Sequence, residues 1–491
     1  MIADEPCGAQ ANLFDAFPVL TEARRKTIVT AMYLSIAAIL GTFLRIAMAQ
    51  LFGDACANPG TVGWLKASSP LCVTKDGSSE REGGIVFADL PANLLGSFLM
   101  GMMQGGMDLD LPVYVPVAWV LPSSFFQKWD IVHTAIKTGF CGSLTTFSSW
   151  NSEMVVMTFG TGDVSKTSQV VSAFFGYIVG METALGSFVF GKTIAIFIHR
   201  WASPKDAEEM DSYVVKSEQG VYINHVIPEF ERRYLPELNV QHEYHTVTGV
   251  EYLDRWRDST REARRVGNEH LSTLCEIENA MLIKGEPFSK QAEQVAVDQD
   301  WDLGALAEWI KCNPRPVPPS EDPSKVSVFF SVTVSSLIFG TVLFALLFGL
   351  FYVNGEHAYQ VTYRTMIYSA CFSPFGVLLR WQLSALNGKL RNIPWVPAGT
   401  LLCNVAGSII SIMTIAFELK IGPTGFWLDG TLRALRVGFS GCLTTVSTFV
   451  TEVSNLMKSK PRHYRAYLYI LMSLGTSGLL ASAVYALIVY G

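Results

Sequence analysis

The sequence is short of charge. Only 16% of its 491 residues are charged, while 49% are hydrophobic and the mean hydropathy is +0.29; soluble proteins carry about a quarter of charged residues. Residues 200–325 hold 15 Lys and Arg and 24 Asp and Glu, which leaves 22 basic and 19 acidic residues for the rest of the chain. The rest of the chain is therefore near neutral, at +3, and lacks the basic field that a phosphate backbone requires. The low charge therefore argues against a soluble enzyme, a nucleic-acid binder and a disordered scaffold.

Cysteine is also scarce. Nine cysteines in so long a chain give no dense disulfide framework. Only Cys56 and Cys72, in one polar loop, could form a disulfide. Four others lie in apolar runs, where cysteine is usually a small buried hydrophobe: Cys141, Cys371, Cys403 and Cys442.

Long apolar runs are abundant. A bilayer core of about 30 Å needs about 20 apolar helical residues, and runs of this kind predict an all-α integral membrane protein. The first run is too long for a signal-peptide core and lacks a small-residue cleavage pattern, so residues 1–27 are expected to form an N-terminal tail. Nine spans are predicted, at 28–52, 85–107, 132–157, 168–199, 326–353, 359–386, 395–418, 430–457 and 465–490.

The acidic stretch 200–325 interrupts this series after the fourth span. It is polar, contains helix-like segments and ends in the proline-rich run 314–319. Such a run is semi-rigid. We interpret the stretch as a soluble insert that leads into the fifth span.

An internal repeat relates the spans before and after the insert. Residues 139–153 and 438–452 share eight of fifteen positions, including Gly-Phe-x-Gly-x-Leu-Thr-Thr. The weaker matches follow in the same order, with 41–45 matching 376–380 and 93–97 matching 404–408. The chain is therefore predicted to contain a four-helix repeat (28–199), one linking helix (326–353) and the same four helices again (354–491).

The linking helix makes the two repeats inverted. Four spans return the chain to its starting side, so a fifth crossing starts the second repeat on the opposite side. Inverted repeats place sites at the repeat interface near the membrane midplane. Basic residues in the short loops number ten on the N-terminal side and eight on the other, a modest bias that predicts a cytoplasmic N-terminus and insert and an extracellular C-terminus.

The Gly/Thr/Ser cluster around Gly142, Thr145 and Thr146 disfavours a plain lipid-facing helix. Irregular backbone at membrane depth occurs only where protein or a water-filled cavity covers it. A helix break here would free carbonyls for a cation and hydroxyls for an anion, whereas the alternative is a seam of small residues between packed helices. The duplication of the pattern favours the break.

Three further polar side chains occur in each predicted half, and two readings of each stay open. The mid-span amides Asn93 and Asn404 either solvate a small anion or make an interhelical hydrogen bond. Arg45 and Arg380 either snorkel to the interface or attract anions at a pore mouth. Glu153 and Glu452 either line an aqueous vestibule or bond to a neighbouring helix.

The sequence motifs resemble those of the Fluc (CrcB) fluoride channels. The motifs are G-x-x-x-R, a mid-helix Asn followed by Gly-Ser, and G-F-x-G-x-L-T-T-F-S-T-F, and the fused inverted duplicate resembles the eukaryotic fluoride exporters of that family. The resemblance covers about 28–199 and 359–490. It implies a fluoride-selective channel, not an enzyme, that exports fluoride down the membrane potential across the plasma membrane as a single-chain pseudo-dimer in the lipid bilayer.

The resemblance also implies site residues. A structural sodium ion is expected on the carbonyls of Gly142, Thr145, Gly441 and Thr444. Arg45, Arg380, Glu153 and Glu452 are expected in the vestibules. The fluoride pore is expected to use Asn93, Asn404, Phe147, Phe449, Thr146, Thr445, Ser148 and Ser447.

The chain departs from the family pattern at the pore aromatics. They are Phe147 and Trp150 in the first repeat but Val446 and Phe449 in the second, and valine has no ring edge to favour an anion. The family geometry pairs Phe147 with Phe449 in one pore and Val446 with Trp150 in the other. We expect the first pore to conduct and the second to be vestigial.

Two other classes of function are weighed against a channel. A small-molecule or cation antiporter normally needs an intramembrane carboxylate, and the first span contains none. A membrane-anchored adaptor would act through the acidic insert. A metallohydrolase is disfavoured, because the spacing His242-Glu243-Tyr244-His245 is one residue short of the spacing that puts both histidines on one helix face.

Overall fold

The computed structural model describes residues 22–57, 87–108, 117–121, 124–159, 166–202, 204, 331–354, 360–391, 393–422, 425–457 and 463–491. Within these ranges the chain is helical and contains no strand. The insert beyond its first residues, Cys72 and the proline-rich run lie outside them, so the predictions made for those parts stay predictions.

Six long helices and two interrupted segments lead up to a final helix. The first repeat contains α1 (Glu22–Ala57), α2 (Leu90–Asp108), α3 (Asp130–Thr134), α4 (Gly142–Leu144), α5 (Phe147–Phe159) and α6 (Lys166–Ala202). The linking helix is α7 (Val332–Val353). The second repeat contains α8 (Gln360–Leu383), α9 (Ala398–Ile421), α10 (Phe426–Arg433), α11 (Gly441–Leu443), α12 (Ser447–Met457) and α13 (Tyr464–Tyr490).

The residues 130–159 and 426–457 form the first and second broken segments. In each, a π-helical turn precedes the three-residue helix, at Ala135–Cys141 and Ala434–Ser440. These segments correspond to the third and eighth predicted spans, and both are interrupted near their middle.

Among the described residues, five helices are long and apolar enough to cross a membrane, which agrees with an all-α membrane protein. They are Ala23–Phe52, Gln169–Ala202, Val332–Val353, Ala398–Ile421 and Tyr464–Tyr490. The broken segments are divided into short helices, and α8 contains Pro374 with Arg364 and Arg380. Arg364 is one of the eight basic residues assigned above to loops on the side opposite the N-terminus; it lies inside α8 and pairs with Asp429 at 2.9 Å.

The linking helix α7 packs on α1 and α8 and presents its other faces outward. Its side chains Leu337, Phe344 and Phe351 are 67%, 71% and 83% exposed. Bulky apolar groups with this exposure suit a helix whose outer face is covered by lipid tails. The predicted joining helix therefore lies beside the centre of the molecule rather than within it.

Equivalent helices of the two repeats, α1 and α8, pack directly against each other. Leu34 and Ala38 of α1 form a buried cluster with Val377 of α8. The hydroxyl oxygens of Thr42 and Ser373 are 2.8 Å apart. The two halves therefore share one interior and are not separate domains.

The Thr42–Ser373 contact gives a direct test of this pairing. The variant Thr42→Cys/Ser373→Cys, in a Cys442→Ser background because Cys442 Sγ also lies 3.1 Å from Thr42, should form a disulfide on mild oxidation, since adjacent Cβ atoms can reach bonding geometry. After proteolytic cleavage within residues 205–320, the two halves should migrate together on a non-reducing gel. The single variant Thr42→Cys in the same background is the control, and separation of the halves in the double variant would contradict the pairing.

Candidate functional site

Each broken segment loses its helical conformation at the first threonine of the Thr-Thr pair. Thr145 has φ −89° and ψ 144°, and Thr444 has φ −87° and ψ 158°, which is extended backbone. The next helix begins two or three residues later in each case. Because both breaks are fully buried, the backbone groups released there need partners from the protein.

The first threonine of each break caps the helix that follows the other break. The Thr145 hydroxyl accepts hydrogen bonds from the backbone N–H groups of Val446 and Ser447 at 3.2 and 3.1 Å. In the reverse direction, the Thr444 hydroxyl accepts from the N–H of Ser148 at 3.1 Å. The first N–H groups of a helix have no partner within that helix. Neither repeat therefore completes its own break.

The two asparagines bind the backbone of the second threonine in each break. The Asn93 oxygen accepts from the N–H of Thr146 at 2.7 Å, and its amide nitrogen donates to the Thr146 carbonyl at 3.2 Å. Asn404 makes the same two bonds to Thr445, at 2.9 and 3.2 Å. Of the two readings above, the geometry shows the interhelical hydrogen bond. One N–H of each amide is used in it.

Six hydroxyl side chains meet where the breaks face each other. The Thr145 and Thr445 oxygens are 3.3 Å apart, and the Thr146 and Thr444 oxygens 3.5 Å. All six are at most 1% exposed. The cluster consists of Thr145, Thr146, Ser148, Thr444, Thr445 and Ser447. It brings together the threonines and serines that the sequence assigns to the pore.

Arg380 crosses from the second repeat to the first broken segment. Its guanidinium donates to the carbonyls of Thr138 and, at 2.7 Å, Gly142. Both carbonyls lack their usual helical donor. In the π turn the Gly142 N–H bonds to the carbonyl of Lys137, five residues back, so the Thr138 carbonyl does not receive it. The Thr146 N–H bonds to Asn93, so the Gly142 carbonyl does not receive that one.

Arg45 does the same in the opposite direction. It donates to the carbonyls of Val437 and, at 2.8 Å, Gly441 in the second broken segment. Here too the Gly441 N–H bonds five residues back, to Arg436, and the Thr445 N–H goes to an asparagine. Each guanidinium thus serves one carbonyl released by a π turn and one released by a break.

The burial of both arginines does not match snorkelling to the membrane interface, one of the two readings given above. Arg45 and Arg380 are only 2% and 4% exposed, and carbonyl acceptors inside the protein take the Nη donors of both guanidinium groups. Glycine is required beside each of them, since a Cβ at Gly142 or Gly441 would overlap Arg380 or Arg45.

Three of the four carbonyls expected to hold sodium accept hydrogen bonds from an arginine: those of Gly142, Gly441 and Thr444. Arg380 also donates to the Thr444 carbonyl at 3.1 Å, so one guanidinium nitrogen bridges Gly142 and Thr444 of opposite repeats. A cation bound to the Gly142 oxygen would lie within about 6 Å of that nitrogen, where two positive charges repel by about 3 kcal/mol at an effective dielectric constant of 20. The donor chemistry suits a cation, but the residues present do not fit an additional one.

Phe147 and Phe449 contact each other beside the hydroxyl cluster. Their ring centroids are 5.8 Å apart and the rings are nearly perpendicular, at 86°. Both side chains are fully buried, and Phe449 also meets Tyr469 edge-on at 5.3 Å. The pair that the sequence assigns to one pore is therefore in direct contact.

Trp150 belongs mainly to the packing of its own repeat. Its indole stacks on Phe87 at 5.7 Å and donates to the Gly176 carbonyl at 3.2 Å. A Cβ at Gly180 would overlap its ring. Val446 is buried in the apolar cluster that also contains Phe87 and Trp150, where its side chain presents only methyl groups.

A cavity of about 260 Å³, with charged and apolar side chains in its wall, opens beside the first break. It is lined by Arg45, Asp89, Thr146, Glu153, Glu418 and Arg436, among others, and the last two form an ion pair at 2.7 Å. The predicted vestibule residues Arg45 and Glu153 both line it. The cavity meets the beginning of α2 at Asp89 but the end of the equivalent helix α9 at Glu418, so equivalent helices pass it in opposite directions.

Glu452, the repeat counterpart of Glu153, is in a different environment. Its carboxylate accepts hydrogen bonds from Thr400, Asn387 and Tyr469 at 2.5, 3.1 and 2.7 Å. Asn387 in turn accepts from the N–H of Gly399 at 2.7 Å. Of the two readings of this residue, the bond to neighbouring helices is the one observed.

Sequence reasoning missed Lys192. It is 6% exposed, its Nζ lies 4.5 Å from the centroid of the Phe188 ring, and it donates to Ser454 of the other repeat at 3.2 Å. A lysine inside the apolar run 168–199 was the available signal, because ionisable residues at membrane depth are expensive and usually have a role.

The comparisons with known proteins agree on one family. The family model described as CrcB-like protein, Camphor Resistance (CrcB) matches residues 32–191 and 367–485, together more than half of the chain. Fluoride export protein 1 of Candida albicans is 35% identical over 137 residues, and a fluoride-specific ion channel FluC of Methanopyrus kandleri is 35% identical over 116 residues.

Coverage of these relatives is uneven. The match takes in 26% of this chain and 33% of the Candida protein, against 23% of this chain and 83% of the Methanopyrus protein. Fluoride export protein 1 of Neurospora crassa is 38% identical over 108 residues, which are 21% of this chain and 19% of that protein. No solved structure matches the chain.

The crossed threonine caps predict a specific ranking of variants. Thr145→Val keeps the side-chain shape but leaves the N–H groups of Val446 and Ser447 without their acceptor, at about 1–3 kcal/mol for each buried group. Thr145→Ser keeps the hydroxyl and loses one methyl group, about 1 kcal/mol. The melting temperature of the purified protein in detergent should fall clearly more for valine than for serine. Equal melting temperatures would mean that the cap contributes nothing.

Proposed function

Because this chain belongs to the CrcB-like family, we propose that it is a fluoride channel that exports fluoride passively, driven by the membrane potential. The names of the fungal and archaeal relatives, a fluoride export protein and a fluoride-specific ion channel, support this substrate. The observation that carries the proposal is the pair of facing helix breaks, completed by both halves of the chain. A break that is duplicated within the chain and completed by the opposite repeat suits a site at the repeat interface rather than lipid packing.

The cavity beside the first break supplies an entrance for the ion. Its wall includes Thr146, Ser149 and Ser152, whose hydroxyls can replace part of the water around a fluoride ion. The hydroxyl cluster and the Phe147–Phe449 pair continue from Thr146 into the protein interior. A channel must hold the ion well enough to dehydrate it and weakly enough to release it, and neutral donors with ring edges meet both needs.

The proposal includes the arrangement in the membrane. Nine spans in a 4+1+4 order, with inverted repeats forming a pseudo-dimer in one chain, account for equivalent helices that pass the cavity in opposite directions. The plasma membrane is the proposed location, with the N-terminus and the insert cytoplasmic and the C-terminus extracellular. The cavity beside Glu153 and Glu418 would then face outward.

The rival classes fit these observations less well. An antiporter normally needs an intramembrane carboxylate that couples to its substrate, and the first span contains none. An adaptor that works through the insert does not need buried, mutually capping breaks. Truncation of residues 205–320 separates the classes, because efflux should survive in a channel.

The first prediction concerns the driving force. Purified protein in liposomes loaded with fluoride should release it when valinomycin and a potassium gradient set a positive exterior, because each charge gains about 2.3 kcal/mol per 100 mV. A fluoride electrode measures the release. Chloride-loaded liposomes are the control and should release little, so efflux that ignores the potential, or chloride that passes as readily, would contradict the proposal.

The second prediction concerns the pore aromatics. Phe147→Leu or Phe449→Leu keeps an apolar side chain but removes a ring edge, about 1 kcal/mol per site, so fluoride efflux should slow roughly fivefold. Val446→Ala and Trp150→Phe are the matched controls and should stay within about threefold of the wild type. The reverse ranking, in the same liposome assay, would assign conduction to the other pair.

A further inference from the structure

We infer that Arg45 and Arg380 are the resident cations of the two helix breaks, and that they make bound sodium unnecessary in this chain. The inference rests on the proposed function only for its efflux readout. It reassigns the carbonyls that the family resemblance gives to a sodium ion.

The arginines reach the two breaks crosswise. Arg380 of the second repeat serves carbonyls of the first broken segment, and Arg45 of the first repeat serves the second. Arg380 also bridges Gly142 and Thr444, one carbonyl from each break. Positive charge is thus delivered to both sides of the interface by the chain itself.

The shape of the guanidinium matches the pair of carbonyls that each segment releases. Thr138 and Gly142 are one helical turn apart, as are Val437 and Gly441, and all four accept from an arginine. The planar guanidinium group can donate to two such oxygens at once through separate N–H groups. A spherical ion of one charge contacts both oxygens only if they are arranged around it. The π turn and the break together therefore form a binding site for a guanidinium group.

The glycines show that these positions are shaped for arginine. The Cβ of any other residue at Gly142 or Gly441 would overlap Nη2 of the arginine opposite. The same glycine therefore occurs in both repeats for a reason that a backbone carbonyl site for sodium would not supply. A third positive charge at these oxygens would face two guanidinium groups that are 2% and 4% exposed.

The wild-type protein provides the main test. Its melting temperature in detergent should be the same in sodium chloride and in N-methyl-D-glucamine chloride, because a ligand that binds the folded state raises the melting temperature and an unbound ion does not. Fluoride efflux driven by a potassium gradient should be the same, within about twofold, with and without sodium on both sides of the membrane. A sodium concentration of about 0.1 M, an ordinary ionic strength, is suitable.

The outcomes are separable. A melting temperature that rises saturably with sodium, or efflux that appears only when sodium is present, would overturn the inference while leaving the proposed function intact. A protein that conducts no fluoride under any condition would contradict the proposed function, and the melting temperature would still decide the question of sodium.

Variants test the role of the guanidinium group. Arg380→Lys keeps the charge but cannot bridge two carbonyls, so the melting temperature should fall in either salt and efflux should drop at least tenfold. Arg391→Gln is the control, because Arg391 is exposed, and it should behave as the wild type. An Arg380→Lys protein with wild-type stability and efflux would overturn the inference, whatever the sodium experiment shows.

Discussion

A helix that breaks inside a membrane releases backbone N–H and C=O groups where water cannot satisfy them, and this constraint accounts for most of the site. Unpaired groups of this kind cost several kcal/mol each in an apolar environment. Here threonine hydroxyls take the N–H groups, asparagine amides take both groups of the second threonine, and arginines take the carbonyls. The polar residues of the three repeated motifs are thus parts of one solution.

Each repeat supplies hydrogen-bonding side chains to the break of the other repeat, so the two symmetric halves depend on each other for folding. Thr145 and Thr444 cap helices of the opposite repeat, and Arg45 and Arg380 cross in the same way. A half on its own would leave carbonyls and N–H groups open, so the fused duplicate has a reason to stay together in one chain. The two halves are symmetric in the hydrogen bonds that satisfy the broken backbone, and they differ at the aromatic positions, where Phe147 of the first repeat corresponds to Val446 of the second.

The differences between the halves lie around the breaks. Glu153 lines an open cavity, whereas Glu452 is enclosed by Thr400, Asn387 and Tyr469. Lys192 occurs in the first repeat only and reaches Ser454 of the second. A comparison of the two repeats identifies only the features that they share. It therefore predicts the same role for Glu153 and Glu452, and it does not identify Lys192.

The sequence by itself determined the apolar helices, the repeat and the position of both breaks, because hydrophobic run length and the duplicated Gly-Phe-x-Gly-x-Leu-Thr-Thr pattern are local properties of the chain. Only the tertiary structure decided what the polar side chains do. Asn93 could face an ion or a backbone, and Arg45 could snorkel or turn inward. The choice depends on which carbonyls and N–H groups another helix leaves open, and these are distant in the sequence, 53 positions away for Asn93 and 396 for Arg45.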